Sequence, residues 1–535
     1  MAPYRQVDDL AMVGQGRSMS YGAQLARAAR QFPDRPAFTF GDTVLSYRSL
    51  DERVNRLARA LAGMGVRRGD RVAILMRNRL EYAEVLYAVA RLGAIGVPIN
   101  FRLVAGEVGY ILGDCTPRAL VVDRCFAETA ALATADATAV PAVLVTDDGA
   151  AEFGADALDY DSTVTAASAE PRDIDVPETD AAYIMYTSGT TGRPKGAVLT
   201  HLNLVMAGLL QDMAMGGMRD RHGVYLLGVP MFHIAGLALS TRAALSGTTV
   251  VIYGEASFNP ERIVDLFESE RVTGCFFVPA QWATICAVPG IKDRDLVLDT
   301  ISWGAAVAPP SVLDAMADAF PAAPAYCAFG QTEMSPTTCM LRGEDAAAKL
   351  GSVGKPLPGI EVRIVDEELR DVPEGSVGEI VYRGPTTMRE YWNKPEATEE
   401  AFRGGWFHSG DLVRRDPDGF IWVVDRKKDM IISGGENIYC AEVEAAIDGH
   451  PKVAEVAVIG REDERWGQVP VAVLAPHDPA DPPDLAEIRM HCAQSLASYK
   501  HPKALTVVNA LPRNASGKVQ KFVLRDDDAR RGKRE

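Results

Sequence analysis

No Cys-x-x-Cys pair occurs in this sequence, and none of its eight cysteines (positions 115, 125, 275, 286, 327, 339, 440 and 492) lies near a histidine cluster. That absence argues against zinc and against a disulfide framework, and leaves scattered buried thiols in a reducing compartment. Long apolar runs are missing too. The longest, residues 224–239, contains Pro230 and His233 and is too short to cross a bilayer. The N-terminus has no apolar signal core, so the expected location is the cytoplasm. Positive charge is in deficit, with 56 Lys and Arg against 72 Asp and Glu and a net charge of −16. Nucleic acid is therefore not the main partner, because a phosphate backbone needs a net basic face. Any polyanionic ligand must be met by local basic groups. No internal repeat is present.

What is there is length and rhythm. At 535 residues the chain exceeds one ordinary hydrophobic core, so two or more domains are expected. Ser49 and Glu52 form an S-x-x-E pattern that predicts a helix start, with Leu50, Val54, Leu57 and Leu61 at helical spacing. The strand "RVAILM" (71–76), a helix over 81–92 and the strand "GVPIN" follow. Strands alternating with helices predict a parallel sheet covered by helices, and the rhythm returns beyond Thr200. Residues 127–182, rich in Ala, Asp and Thr, read as a surface excursion. From 352 to 424, short strands between Gly, Pro and Asp turns predict an antiparallel β-subdomain. After "DRKKD" (425–429) a compact α+β unit of about 100 residues is expected, a normal domain size. The expected fold is thus α/β: a large N-terminal domain, 1–427, of parallel-sheet layers plus the β-subdomain, and a small mobile α+β lid, 428–535.

The densest chemistry lies in "YTSGTTGRPKG", residues 186–196. Its glycines let backbone N–H groups turn toward an anion, its hydroxyls donate, and Lys195 adds a point charge. The adjacent Gly-Lys-Ser/Thr of P-loop proteins is lacking, and apolar "AVLT" follows instead of a helix start, so no helix dipole backs this loop. An ordinary polar turn is the bland alternative, but one so dense in Gly, Ser and Thr favours phosphate.

The loop, extended to "YTSGTTGRPKGAVLTH", resembles the signature of the adenylate-forming superfamily of acyl-CoA synthetases, aryl-CoA ligases, adenylation domains and beetle luciferases. "FGQTEMS" (329–335), "HSGDLV" (408–413), "DRKKDMIISGGENIYCAEVE" (425–444) and "PRNASGKVQK" (512–521) follow in the family's order. The resemblance covers residues 21–525 and is strongest to bacterial fatty-acid–CoA ligases. It implies two steps: a carboxylate attacks the α-phosphate of ATP to give an acyl-adenylate and pyrophosphate, and a thiol then displaces AMP. Two anions must meet, so catalysis is mainly positioning and charge neutralisation.

Residue by residue, the resemblance implies that Thr187, Ser188, Gly189, Thr190, Thr191, Gly192 and Lys195 hold the β- and γ-phosphates. Gly304, Ala305, Ala306 and Gln331 would lie along the adenine side. Thr332 would bond the α-phosphate, and Glu333 would hold Mg²⁺. Asp411 and Arg426 would take the ribose. Lys518 would bridge the substrate carboxylate and the α-phosphate, where a compact ammonium suits a crowded point. The lid would pivot at Lys428, and Gly434 and Gly435, beside Ser433, would then line the tunnel for pantetheine. His233 would gate that tunnel against an acyl pocket drawn from Phe232, Ile234, Ala235, Gly236, Trp303, Gly330 and Met334.

The acceptor implied is CoA, with Trp466 on its adenine and Tyr499 and Lys503 near its phosphates. His501 stands where some relatives carry a firmly charged Arg. The mixed small and bulky apolar pocket suits a hydrophobic acid, expected to be a fatty acid, and Trp303 would either shorten a long tunnel or swing aside as a gate. Cys440 replaces a usual Pro. Alternatives remain: an aryl-acid CoA ligase, a ligase loading a separate carrier protein, a luciferase-like oxygenase, or a non-catalytic nucleotide sensor. The partners expected are a small carboxylic acid and CoA, with a homodimer as the candidate assembly.

Overall fold

Ser46, not Ser49, caps the first long helix of the parallel layers. The helix runs Tyr47–Gly63, and the Ser46 hydroxyl accepts the Ser49 backbone N–H at 3.1 Å. Ser49 is therefore the third helical residue. The start predicted at Ser49 lies one turn late because Ser46 already occupies the capping position. The computed structural model describes residues 18–135, 141–154, 156–172, 174–187, 194–216, 223–255, 257–306, 308–346, 348–433, 436–463, 465–513 and 519–532.

The chain divides into two compact units, residues 1–361 with 382–407 and residues 362–381 with 408–535. Lys428 lies inside the second unit, because the strands Phe407–Arg415 and Ile421–Arg426 pair with each other and group with the C-terminal residues. The first unit holds two large sheets. One, of eight strands, runs in the order Glu390–Tyr391, Lys195–Thr200, Ala181–Thr187, Ile95–Pro98, Arg71–Leu75, Ala119–Val122, Ala142–Val145 and Leu158–Asp159. Its pairs are parallel from Ala181–Thr187 to Leu158–Asp159 and antiparallel at the other end. Val72, Ala73, Ile74 and Leu75 are all buried, as a strand covered on both faces requires.

Residues 127–182 are not a surface excursion. They contain the helices Ala127–Thr134 and Tyr160–Ala166 and two strands that extend the parallel sheet. Those strands have only four and two residues, too few to register a period.

The second large sheet has nine strands, parallel through its middle. Its strands Gly274–Phe277, Thr300–Gly304 and Ala325–Gly330 are parallel neighbours whose C-terminal ends carry Phe277, Gly304 and Gly330. Ligands of open α/β sheets bind at such ends.

A further sheet, most of whose residues fall in the second unit, has four strands: Glu361–Val365, Gly378–Arg383, Phe407–Arg415 and Ile421–Arg426. The remainder of the expected β-subdomain goes elsewhere, since Lys355–Pro356 and Glu390–Tyr391 join the sheets of the first unit. The C-terminal sheet is built on the hairpin Val453–Asp463 and Gly467–Pro476, with Ala504–Val507 parallel to the latter. Ala472 and Leu474 pack with Val443, Ile447 and Ile488, while Val471 and Val473 pack with Leu511 and Leu524. Helical residues thus cover both faces, which makes the strand a continuous apolar run. All eight cysteines are free thiols, and no described helix is long and apolar enough to cross a membrane.

Candidate functional site

The hairpin Ala181–Thr187 and Lys195–Thr200 brings Thr187 opposite Lys195, and the Thr187 hydroxyl donates to the Lys195 carbonyl at 3.5 Å. Ser188, Gly189, Thr190, Thr191 and Gly192 lie outside the described residues. The Lys195 ammonium sits 4.5 Å from the centre of the Tyr391 ring. Tyr391 comes from a two-residue strand paired antiparallel with Lys195–Thr200. Its hydroxyl donates to Glu333 Oε1 at 2.8 Å, and the Met388 N–H donates to the Glu333 carbonyl at 2.7 Å. Burial, with the Glu333 charge adding, pushes the Tyr391 phenol well up, so it remains a proton donor at physiological pH. Lys195, Tyr391 and Glu333 therefore form a continuous chain. Sequence reasoning missed Tyr391, whose only signal was its place in a strand too short to read.

Glu333 belongs to the short 3₁₀ turn Thr332–Met334, which follows directly from the strand end at Gly330. A side chain at Gly330 would place Cβ 2.0 Å from the Pro336 carbonyl oxygen, so only glycine lets the chain turn here. Glu333 is 8% exposed and Met334 fully buried. Among the described residues, the Gln331 Nε2 and Ser335 Oγ atoms are buried with no hydrogen-bond partner. An orphaned donor beside Thr332 and Glu333 fits a polar ligand supplied from outside. At the end of the adjacent strand, Trp303 is buried while Ala305 and Ala306 are exposed after Gly304, leaving backbone on which a planar ring can rest.

No group of three or more His, Cys, Asp or Glu side chains that could hold a metal exists among the described residues. A single buried carboxylate fits Mg²⁺, which is commonly bound through one or two carboxylates plus substrate phosphates. Glu333 is the residue that would hold it.

His233 precedes the helix Ile234–Ser246 and occupies its N-cap position. Its ring lies 5.1 Å from that of Phe232, which packs edge-on against Phe101 at 5.3 Å. Burial, then the Arg102 charge, lowers the His233 pKa to about 4, so the imidazole is neutral at physiological pH. Phe232, Ile234 and Gly236 are buried and Ala235 is half-buried. A residue missed earlier fixes this segment: Asn78 Oδ1 accepts the Met231 N–H at 2.7 Å, and its Nδ2 donates to the Val229 and Tyr253 carbonyls at 2.9 and 3.2 Å. Asn78 lies after the strand Arg71–Leu75, and nothing in the sequence tied it to residues so distant.

In the second unit, Asp411 and Arg426 are direct cross-strand partners, with Arg426 Nε 2.7 Å from Asp411 Oδ1. Asp411 is buried, so its carboxylate is held by charge and aimed by the sheet. Lys428 sits in the turn between Ile421–Arg426 and Ile431–Ser433. The next residue, Asp429, accepts Arg525 Nη2 at 2.6 Å on its carboxylate and the Cys440 thiol at 2.9 Å on its carbonyl. Cys440 is fully buried, and burial raises its thiol to about 12, so it acts here as a small donor rather than a reactive thiolate.

Gly434, Gly435 and Lys518 lie outside the described residues. Arg513 and Val519 form an isolated antiparallel bridge. Trp466 is exposed, with the Arg465 guanidinium 4.8 Å from its ring. Tyr499 and Lys503 are exposed too. His501 is not available to a CoA phosphate: it is 9% exposed and its Nε2 lies 3.0 Å from the Leu496 carbonyl, a contact made within the fold.

Comparison with known proteins shows the family. A family profile described as AMP-binding enzyme matches residues 25–392, and one for the AMP-binding enzyme C-terminal domain matches residues 442–518. The chain is 40% identical over 517 residues to a feruloyl-CoA synthase of Amycolatopsis sp, covering 95% of this chain and 99% of that one. It is 37% identical over 491 residues to a long-chain-fatty-acid–CoA ligase of Mycobacterium tuberculosis, covering 91% and 93%. Its structure is similar to an o-succinylbenzoate CoA synthetase from Bacillus subtilis in complex with an acyl-adenylate intermediate, with a TM-score of 0.83, 32% identity, and coverage of 94% and 98%.

Proposed function

The chain belongs to the AMP-binding enzyme family, and from that premise we propose that it is an ATP- and Mg²⁺-dependent acid–thiol ligase that converts a hydrophobic carboxylic acid into its CoA thioester. The observation that carries the reading is the Lys195–Tyr391–Glu333 chain at the base of the phosphate-loop hairpin. A cation for polyphosphate and a buried, oriented carboxylate for a divalent ion are the two devices that activation of a carboxylate by ATP needs.

In the first step the acid's carboxylate oxygen attacks the α-phosphorus, and pyrophosphate leaves. Thr332 donates to the α-phosphate, Lys195 and the loop 187–195 hold the leaving pyrophosphate, and Glu333, kept in place by Tyr391, supplies the carboxylate ligand of the ion. Mg²⁺ held by Glu333 would supply neutralisation of phosphate charge. Asp411 accepts the ribose hydroxyls with Arg426 beside it. Lys518 bridges the two reacting anions. In the second step the CoA thiol attacks the acyl carbonyl and AMP leaves. Lys428 is the pivot between the steps, and Gly434 and Gly435 line the thiol's path. Trp466, Tyr499 and Lys503, all exposed, suit the nucleotide end of CoA. The neutral His233 suits an aromatic gate, since a charged imidazolium would be out of place beside an acyl chain.

The acid is read first as a fatty acid, as in the mycobacterial relative. An aryl acid is the second reading, supported by the feruloyl-CoA synthase relative and by bulky Trp303 buried at the strand end where a long tunnel would run. A cytoplasmic, homodimeric enzyme remains part of the proposal, supported by eight free thiols for the compartment alone. The test is mass spectrometry of products from ATP, Mg²⁺, CoA and a mixed pool of alkyl and aryl acids. Acyl-CoA with AMP is expected and names the acid. ADP as the nucleotide product would refute the reading, and acyl-AMP without thioester would move the acceptor to a carrier protein. Trp303→Gly should lengthen the preferred acyl chain; an unaltered profile would remove Trp303 from the pocket.

A further inference from the structure

Glu379 is a carboxylate in an inner strand, Gly378–Arg383, of the four-stranded sheet, and it is only 6% exposed. Burying a charge there is costly unless it is paired and hydrogen-bonded. Three donors converge on it. The Gly410 backbone N–H donates to Oε1 at 3.1 Å, and His408 Nδ1 and Lys427 Nζ each lie 3.1 Å from Oε2. Burial raises the carboxyl's pKa, but the His408 and Lys427 donors outweigh that and hold it below the usual range.

The first of these contacts has a backbone cause. Gly410 has φ +71, a left-handed conformation, and the neighbouring ladder shifts register between Leu412 and Val413. The Glu379 side chain is the acceptor the Gly410 amide finds. One residue either side, the stitching continues. Ser409 Oγ donates to the Ile380 carbonyl at 2.6 Å and accepts the Asp411 N–H at 3.0 Å. The Lys427 N–H donates to the Gly410 carbonyl at 2.9 Å, so Lys427 is held at both its backbone and its ammonium. Asp411 and Arg426, the ion pair read as the ribose site, each adjoin a residue that Glu379 grips.

A buried ion pair adds little net stability over apolar packing of the same volume. Its use is better sought in what it holds still. We propose that Glu379 is a positioning residue for ribose recognition: by holding Gly410 and Lys427 it fixes Asp411 opposite Arg426 at the spacing that accepts a vicinal diol. The inference rests on the reading of Asp411 as the ribose acceptor.

The experiment compares ATP with 2′,3′-dideoxy-ATP in the adenylation half-reaction of the full chain, for the wild type, Glu379→Ala, Glu379→Gln and Asp411→Asn. The wild type should prefer ATP. Glu379→Ala should lower kcat/KM for ATP about tenfold, carried by KM, the size expected for losing charge-assisted hydrogen bonds. It should change the rate with the dideoxy nucleotide less than about twofold, because that nucleotide never used the diol contact. Glu379→Gln keeps an oxygen for the Gly410 amide and should recover part of the preference, with a smaller risk to folding. A merely structural role would lower both nucleotides alike in both Glu379 variants, and that result overturns the proposal. A wild type or Asp411→Asn that treats the two nucleotides as the wild type treats ATP would overturn the Asp411 reading itself, a failure visible without any Glu379 variant.

Discussion

Replacing Tyr391 by Phe removes one oxygen from a buried site and leaves the ring beneath Lys195. The oxygen lost is the donor to Glu333 Oε1 at 2.8 Å, and Glu333 is only 8% exposed, so water replaces it poorly. A hydrogen bond to a charged acceptor contributes about 1.5–3 kcal/mol. Part of that is regained when the carboxylate meets a cation, which compensates its charge but not its orientation. Outer partners of metal ligands typically account for about 10–100-fold in metal affinity or activity. The expected result for Tyr391→Phe is therefore a half-saturating Mg²⁺ concentration raised about tenfold, at the low end of that range. The assay is pyrophosphate release in the adenylation half-reaction, titrated with Mg²⁺ at fixed saturating ATP, with the melting temperature as a control for folding. Tyr391→Leu, which also strips the ring from Lys195, should add a rise in KM for ATP. An unchanged Mg²⁺ dependence in a folded Tyr391→Phe protein would refute the assignment of Glu333 as the metal's carboxylate.

Lys518→Ala should abolish adenylation yet spare thioester formation from preformed acyl-AMP; equal loss of both steps in separate half-reaction assays would contradict the role given to Lys518. Lys428→Pro should leave adenylation and stop transfer to CoA, because proline fixes φ; normal overall turnover would place the pivot elsewhere. For pH, burial lowers His201 and His233 each to about 4 in the fold, against roughly 6.5 in the unfolded chain. The unfolded chain then binds more protons in that window, so stability is fully present above about pH 6.5 and lost as pH falls toward 4. Each histidine contributes at most roughly 3 kcal/mol. Melting temperature should fall through that window, and His201→Gln should flatten the fall; a flat profile from pH 7 to pH 4.5 would oppose both assignments.

Much of the fold was legible where elements were long or strictly patterned. The alternation of "RVAILM", the following helix and "GVPIN" foretold a parallel sheet, because covered strands read as unbroken apolar runs and their helices keep a helical period. It failed where elements were short. The strands Ala142–Val145 and Leu158–Asp159 gain their apolar partners only in three dimensions. The candidate site divides the same way. Glu333, Asp411 and Arg426 stand in dense local motifs and could be named from the chain. Tyr391, Asn78 and Glu379 act on residues 58, 153 and 31 positions away. No local pattern encodes such contacts, so supporting residues stayed invisible while the groups they support did not.

Asp429, just past Lys428, carries a mechanical consequence. It is fastened on one side to the C-terminal helix Lys521–Gly532 through Arg525 and on the other to the helix Cys440–Asp448 through a thiol. Lys521, at the head of that C-terminal helix, is in turn tied to Glu444 at 2.7 Å, closing a triangle of three segments. A joint is only as good as the stiffness of the arm beyond it. For the pivot proposed at Lys428, this bracing means that backbone rotation there would be carried without lost motion to the helix Lys521–Gly532.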